Sequence, residues 1–180
     1  PVESIVISSV VPVFTKVIQE QLALKFKVSP YLITPDSYSK LSLSVPHPYK
    51  IGSDLVCDAA AAYELFKSDC MVVDFGTALT FTVVSKGDIL GVNIIPGLKL
   101  AMKSLADNTA KLSEIPLELP DSVIGRDTTT AIQSGILWGY VGLVERMIDR
   151  IDEELGSRLK VVATGGLSKV LEPLQDRFDA

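Results

Sequence analysis

Asp74-Phe-Gly-Thr77 is the stretch of this chain best suited to chemistry. It follows the apolar run Cys70–Val73 and precedes Ala78–Val84, so the residue types predict two strands joined by a tight Gly76-Thr77 turn. A carboxylate, a glycine and hydroxyls at a strand end suit a nucleotide phosphate and its cation. The glycine permits close backbone approach and offers an N–H to phosphate oxygens. Thr77 and Thr80 add hydroxyls, and Asp74 can hold a cation directly or through water. The plainer reading is a hairpin whose Asp74 accepts backbone N–H bonds in an Asx turn. A second carboxylate, Asp54, lies just inside the start of an alanine-rich helical pattern after Gly52-Ser53. An acid there complements the helix dipole and needs no further role. The alternative is a general base that draws a proton from a substrate hydroxyl.

Composition narrows the field. In 180 residues, 47% hydrophobic and 22% charged, there is enough apolar material for one sizeable core or two small ones. A net charge of −5 argues against nucleic acid as the main partner, because neutralising phosphates takes clustered Lys and Arg. No apolar run reaches membrane-spanning length, and no secretory leader pattern occurs, so no membrane association and a cytoplasmic location are expected. Cys57 and Cys70 lie in apolar surroundings and read as reduced, buried thiols. The sequence starts at Pro1 and runs straight into a strand, as a piece of a longer protein would.

The positioning elements follow in order. A strand is expected over 4–10, a helix from Pro12 to Lys27 with Val17, Ile18, Leu22 and Leu24 on one face, and a strand at Tyr31–Thr34. Pro35-Asp36 reads as a turn, and 37–50 as a loop with an extended piece at Leu41–Val45. A helix over Ile51–Phe66 leads to three meandering strands at 70–74, 78–85 and 88–95. Pro96-Gly97 ends the meander, followed by a helix over Leu98–Lys111 and a proline-bearing loop over Leu112–Ile124. A long helix over Thr130–Leu155, capped by Asp127 or Thr128, carries a ridge of Gly135, Gly139 and Gly142 that suits close packing on another helix. A strand from Lys160 then reaches Thr164-Gly165-Gly166, where a flat ligand can lie against the backbone, and a helix is expected over Ser168–Phe178. This order predicts two α/β parts, 1–68 and 69–180, the second built on β-β-β-α-β-α.

Four separated motifs together resemble one family. Ile51-Gly-Ser-Asp54, Asp74-Phe-Gly-Thr-Ala78, Ile124-Gly-Arg-Asp-Thr128 with Ile132-Gln-Ser-Gly-Ile-Leu-Trp-Gly139, and Ala163-Thr-Gly-Gly166 are similar to those of type III pantothenate kinases. These are also called the Bvg accessory factor family, within the acetate and sugar kinase/Hsp70/actin superfamily. Ile95-Pro-Gly97 falls where the family has its Pro-Gly, and the likeness runs from about Ser4 to Leu167. It implies an α/β, actin-like ATPase (ribonuclease H-like) two-lobe fold with the first lobe incomplete. It also implies transfer of the ATP γ-phosphate to pantothenate, the first step of coenzyme A synthesis, with Mg²⁺ and a monovalent cation (K⁺ or NH₄⁺). By the same resemblance Asp54 is the catalytic base and Asp74 holds the monovalent cation. Gly76, Thr77, Thr164, Gly165 and Gly166 bind ATP, while Gly52, Ser53 and Thr128 contact pantothenate in a homodimer.

The sequence departs from the family in three places. Its first-lobe Asp-x-Gly-Asn-Thr motif does not occur, Leu55 replaces an arginine after the base, and Val45-Pro-His-Pro48 lacks a tyrosine in the substrate loop. His47, the only histidine, reads as a loop residue. Two alternatives stand beside the pantothenate reading. One is a related kinase with another small-molecule acceptor; the other is a nucleotide-binding regulator without kinase activity.

Overall fold

The computed structural model describes residues 1–106 and 115–180. The chain divides into two compact units, residues 1–69 with 84–90, and residues 70–83 with 91–180.

In the first unit, β1 (Val6–Ile7) pairs in parallel with β2 (Tyr31–Leu32), joined by α1 (Pro12–Phe26). Both strands are shorter than expected. Ladder pairing is confined to two register pairs, Val6 with Tyr31 and Ile7 with Leu32. So small a sheet cannot cover the apolar face of α1. Val13, Phe14, Val17 and Leu24 are exposed, and only Thr15 is buried. Pro35–Lys40 is a 3₁₀ helix rather than a simple turn; Thr34 and Ser37 bond reciprocally across its start. The expected extension at 41–45 is reduced to a single bridge, Ser44 with Asp88. The next helix, α2 (Ser53–Phe66), begins two residues later than the pattern suggested, because Gly52 takes extended dihedrals and becomes the N-cap. Val56, Ala59, Ala60 and Ala62 are its buried residues.

The four-stranded sheet has the order β5-β4-β3-β6, from β3 (Cys70–Phe75), β4 (Ala78–Ser85), β5 (Asp88–Pro96) and β6 (Lys160–Thr164). Lying between β4 and β6, β3 is buried along nearly its whole length, as its unbroken Cys-Met-Val-Val run requires. The β3–β4 register follows from one bond. Gly76 N–H donates to Ala78 O at 3.1 Å, setting those residues opposite each other. Hydrogen-bonded pairs in an antiparallel ladder recur every two residues, so Asp74 faces Thr80. The core agrees. Met71, Val73 and Phe75 share one apolar cluster with Leu79, Phe81 and Val83, leaving Asp74 and Thr80 together on the other face.

Against the core side pack α3 (Leu98–Ala106) and α4 (Thr128–Leu155), with Leu137, Val141, Val144 and Ile148 forming the buried stripe of α4. The end of the helix expected to reach Lys111, and the start of the loop expected after it, lie outside the described residues. Asp127 is the N-cap of α4. Its Oδ1 accepts from Thr130 N at 2.9 Å, while Gly156, at φ 67°, ends the helix. Those bonds, with Thr130 N–H first, hold the Asp127 carboxyl below the usual aspartate range. A depressed folded pKa contributes stability above the unfolded value, and the contribution is lost as pH falls through the folded value. Asp127→Ala should therefore lower Tm at pH 7, and the difference from wild type should shrink below about pH 4. Thermal melts across pH would show it.

The helix expected over Ser168–Phe178 does not form. Turns run over residues 166–170 and a 3₁₀ helix spans Glu172–Arg177, with Pro173 at its start. Leu171 and Leu174 still reach the core. The residues after this turn then bind the edge of β6. Asp179 N–H donates to Val161 O at 2.7 Å, and Ala163 N–H to Ala180 O at 2.9 Å.

Candidate functional site

In the second unit the site forms where parallel strands end together. β3 and β6 pair with Asp74 opposite Thr164, so the Asp74-Phe-Gly-Thr77 and Thr164-Gly-Gly166 turns leave the sheet at one level. Ligands of α/β sheets gather at this carboxyl edge. Sequence spacing could not supply that pairing, since 90 residues separate the two motifs.

The glycines show how tightly the turns are pressed together. Gly165 has φ +91°, and a Cβ there would collide with an Asp74 carboxylate oxygen and lie 2.6 Å from the Phe75 carbonyl carbon. Gly97 donates its N–H to Thr77 O at 3.1 Å, and a Cβ on it would meet Gly76 O at 2.6 Å. Pro96, just before it, accepts a bond from Tyr140 OH at 2.5 Å. Gly97 thus packs on the Asp74 turn and belongs with the site. The Pro-Gly pair after the third strand was its signal in the sequence, though it read as the end of the meander and part of the family likeness rather than as a site residue.

One expected contribution changes. The Gly76 N–H is taken by Ala78 O, so Gly76 serves close approach rather than donation. A Cβ at Gly76 would sit 3.2 Å from Asp74 Oδ2. Thr77 is exposed at the turn, and Asp74 and Thr164 are half-buried. Thr80 is buried opposite Asp74. An all-oxygen donor set with one carboxylate suits a hard cation. Among the described residues no group of three or more His, Cys, Asp or Glu is arranged to hold a metal. A cation at Asp74 would therefore complete its shell with neutral and phosphate oxygens rather than with further carboxylates.

In the first unit, Asp54 stands exposed in the first turn of α2, its Oδ1 accepting from Leu55 N at 2.9 Å. Gly52 is what lets it sit there, because a Cβ at 52 would run into the Asp54 carboxylate and lie 3.1 Å from Val10 Cγ1. Ser53 is buried, and its Oγ accepts from Ser8 Oγ at 3.1 Å, so its hydroxyl is committed inside the unit. Tyr38, buried in the 3₁₀ helix, has its phenol pushed above the ordinary range by burial first, then by the charges of Cys57 and Asp54. Residue spacing gave no hint of it, since the Tyr sits in a Ser/Pro/Tyr-rich loop. His47 is exposed in a bend, as its loop reading implied. Gly52→Ala should displace the Asp54 carboxylate while leaving the helix intact. The expected result is a fall in turnover of about 10-fold or more with little change in Tm; activity at wild-type level would show that Asp54 tolerates the move.

Thr128 is exposed at the first position of α4, beside the Asp127 cap. Along the same helix Gly135, Gly139 and Gly142 are exposed, and a Cβ on any of them would meet nothing within 4 Å. No neighbour among the described residues uses the ridge. No described helix is long and apolar enough to cross a membrane.

Comparison with known proteins agrees with the motifs. The model of the type III pantothenate kinase family matches residues 1–150. A type III pantothenate kinase from Treponema pallidum (strain Nichols) is 49% identical over 167 residues, covering 91% of this chain and 61% of that protein. One from Koribacter versatilis is 37% identical over 171 residues, covering 94% of this chain and 62% of that protein. The chain thus spans about three fifths of the length of these relatives. Among solved structures, a protein described as a Baf family transcriptional activator from Campylobacter jejuni aligns with a TM-score of 0.58. The alignment covers 99% of this chain and 74% of that one at 22% identity, a likeness of fold.

Proposed function

That the chain belongs to the type III pantothenate kinase family, with an α/β fold of the actin-like ATPase kind, is the premise from which we propose its activity. The protein transfers the γ-phosphate of ATP to the primary hydroxyl of pantothenate, the entry step of coenzyme A synthesis. The observation that carries the nucleotide half is the parallel register of Asp74 with Thr164, which sets two glycine turns side by side at one sheet edge. Thr77 would bind phosphate oxygens there, with Gly76, Gly165 and Gly166 allowing the nucleotide against the backbone. Asp74 would hold a monovalent cation, K⁺ or NH₄⁺. Mg²⁺ and that cation supply charge neutralisation that an acidic protein cannot give to a polyphosphate.

The acceptor half rests on Asp54. Exposed at a helix start and acceptor-only when ionised, it can take the proton of a hydroxyl as that oxygen attacks phosphorus. Gly52 and the backbone at Ser53 would line the acceptor, as would Thr128. Leu55 stands where the family carries arginine, so pantothenate would be held here without that charge. The protein works as a homodimer in cytoplasm; the uncovered glycine ridge of α4, near exposed Val123 and Ile124, is consistent with a second subunit.

ADP release from Mg-ATP, followed with and without pantothenate and with K⁺ or NH₄⁺ in place of an inert cation, tests the reading. Turnover that needs pantothenate and rises with the cation is expected. ATP binding without pantothenate-dependent turnover would assign the fold to another acceptor or to a regulator.

A further inference from the structure

We infer that the Thr80 hydroxyl is a ligand-side group of the Asp74 site, supplying an oxygen to the shell of the cation held there; this rests on the cation reading of Asp74. Thr80 lies in the interior of β4 and is only 6% exposed. Its Oγ1 is fully buried and has no hydrogen-bond partner among the described residues. Buried hydroxyls are almost always paired, so an orphan at this place needs an occupant.

The position specifies which. The Gly76–Ala78 bond fixes the register that sets Thr80 opposite Asp74, and the division of the apolar cluster places both on the face away from the core. Directly opposed residues on one face of an antiparallel pair have Cβ atoms about 4.5–5.5 Å apart. A cation or its bound water beside the carboxylate is therefore within reach of the hydroxyl. Oγ1 offers lone pairs to a cation, and a proton to a phosphate oxygen or water. Thr82, two residues on and also buried, is not orphaned in this way among the described residues, so the orphan falls on the carboxylate's neighbour. Thr80 would act as a positioning residue that sets how tightly and how selectively the cation is held.

The test compares Thr80→Val with Thr80→Ser in the intact protein. Thermal stabilisation in the presence of ATP is titrated with KCl against choline chloride at constant ionic strength, with Asp74→Asn as the reference. Without ligand, Thr80→Val should melt at or above the wild-type temperature, because it removes an unpaired hydroxyl while keeping shape. Its half-saturating K⁺ should rise about 10-fold or more, while Thr80→Ser stays near wild type. A Thr80→Val protein with wild-type K⁺ dependence, beside an Asp74→Asn protein that has lost it, overturns the role of Thr80 alone. Wild-type protein whose melting ignores K⁺, or an Asp74→Asn protein that keeps its K⁺ response, overturns the cation reading and this inference with it.

Discussion

Asp54→Asn is expected to lower pantothenate-dependent turnover by about 10²–10⁴-fold, the usual contribution of a positioned general base. Fold and nucleotide affinity should survive. Asn keeps an oxygen that can accept from Leu55 N–H, the bond the carboxylate makes to the helix start. Being exposed, the side chain carries no packing. The substitution is nearly isosteric, so the close approach of Gly52 is unchanged. What goes is the capacity to accept a proton. ADP release at saturating pantothenate, with ATP binding measured by titration calorimetry, separates the outcomes. Loss of kcat with ATP affinity retained assigns the base. Full turnover in the variant would leave Asp54 as a favourable charge at a helix N-terminus, the simpler reading of its position.

The second large effect is expected at Gly165. Gly165→Ala forces a side chain into backbone at φ +91°, and its Cβ into Asp74 and the Phe75 backbone. Neither neighbour can yield cheaply. Phe75 is 2% exposed, part of the apolar cluster, and packed edge-on against Phe178. The left-handed backbone costs an L residue about 1–2 kcal/mol and overpacking about 1–3 kcal/mol more. Relief would come by parting the 164–166 turn from the Asp74 turn, so ATP affinity should fall together with stability. Gly166→Ala is the control. A Cβ there meets nothing within 4 Å, and its φ lies outside the left-handed range, so the fold should be unaffected. Urea unfolding of the pair would show the contrast in stability, with ATP titration of Gly165→Ala against wild type reading the loss of affinity; equal unfolding of the two variants would mean that the turns do not depend on their close contact.

Much of this was legible from local chemistry. The strand 78–85 was read with its observed ends, α4 with Asp127 as one of two cap candidates, and Asp74 as the carboxylate at the end of a buried strand. These features rest on short-range causes: alternation, helical spacing, a capping aspartate and glycine turns. The Ser168–Phe178 stretch misled for a short-range reason as well. Its apolar residues are spaced for a helix, but Pro173 and the bonds of Asp179 and Ala180 to β6 favour turns.

The sequence alone determined which residues are suited by type and spacing to the proposed chemistry, a carboxylate beside Gly-Thr and an acid after Gly-Ser at a helix start. Only the tertiary structure decided how the glycine turns combine. The β3–β6 register set Asp74 beside Thr164, Gly165 and Gly97 closed onto the Asp74 turn, and Thr80 was left buried without a partner among the described residues. Those outcomes depend on strand pairing between segments distant in the chain, which no local preference encodes.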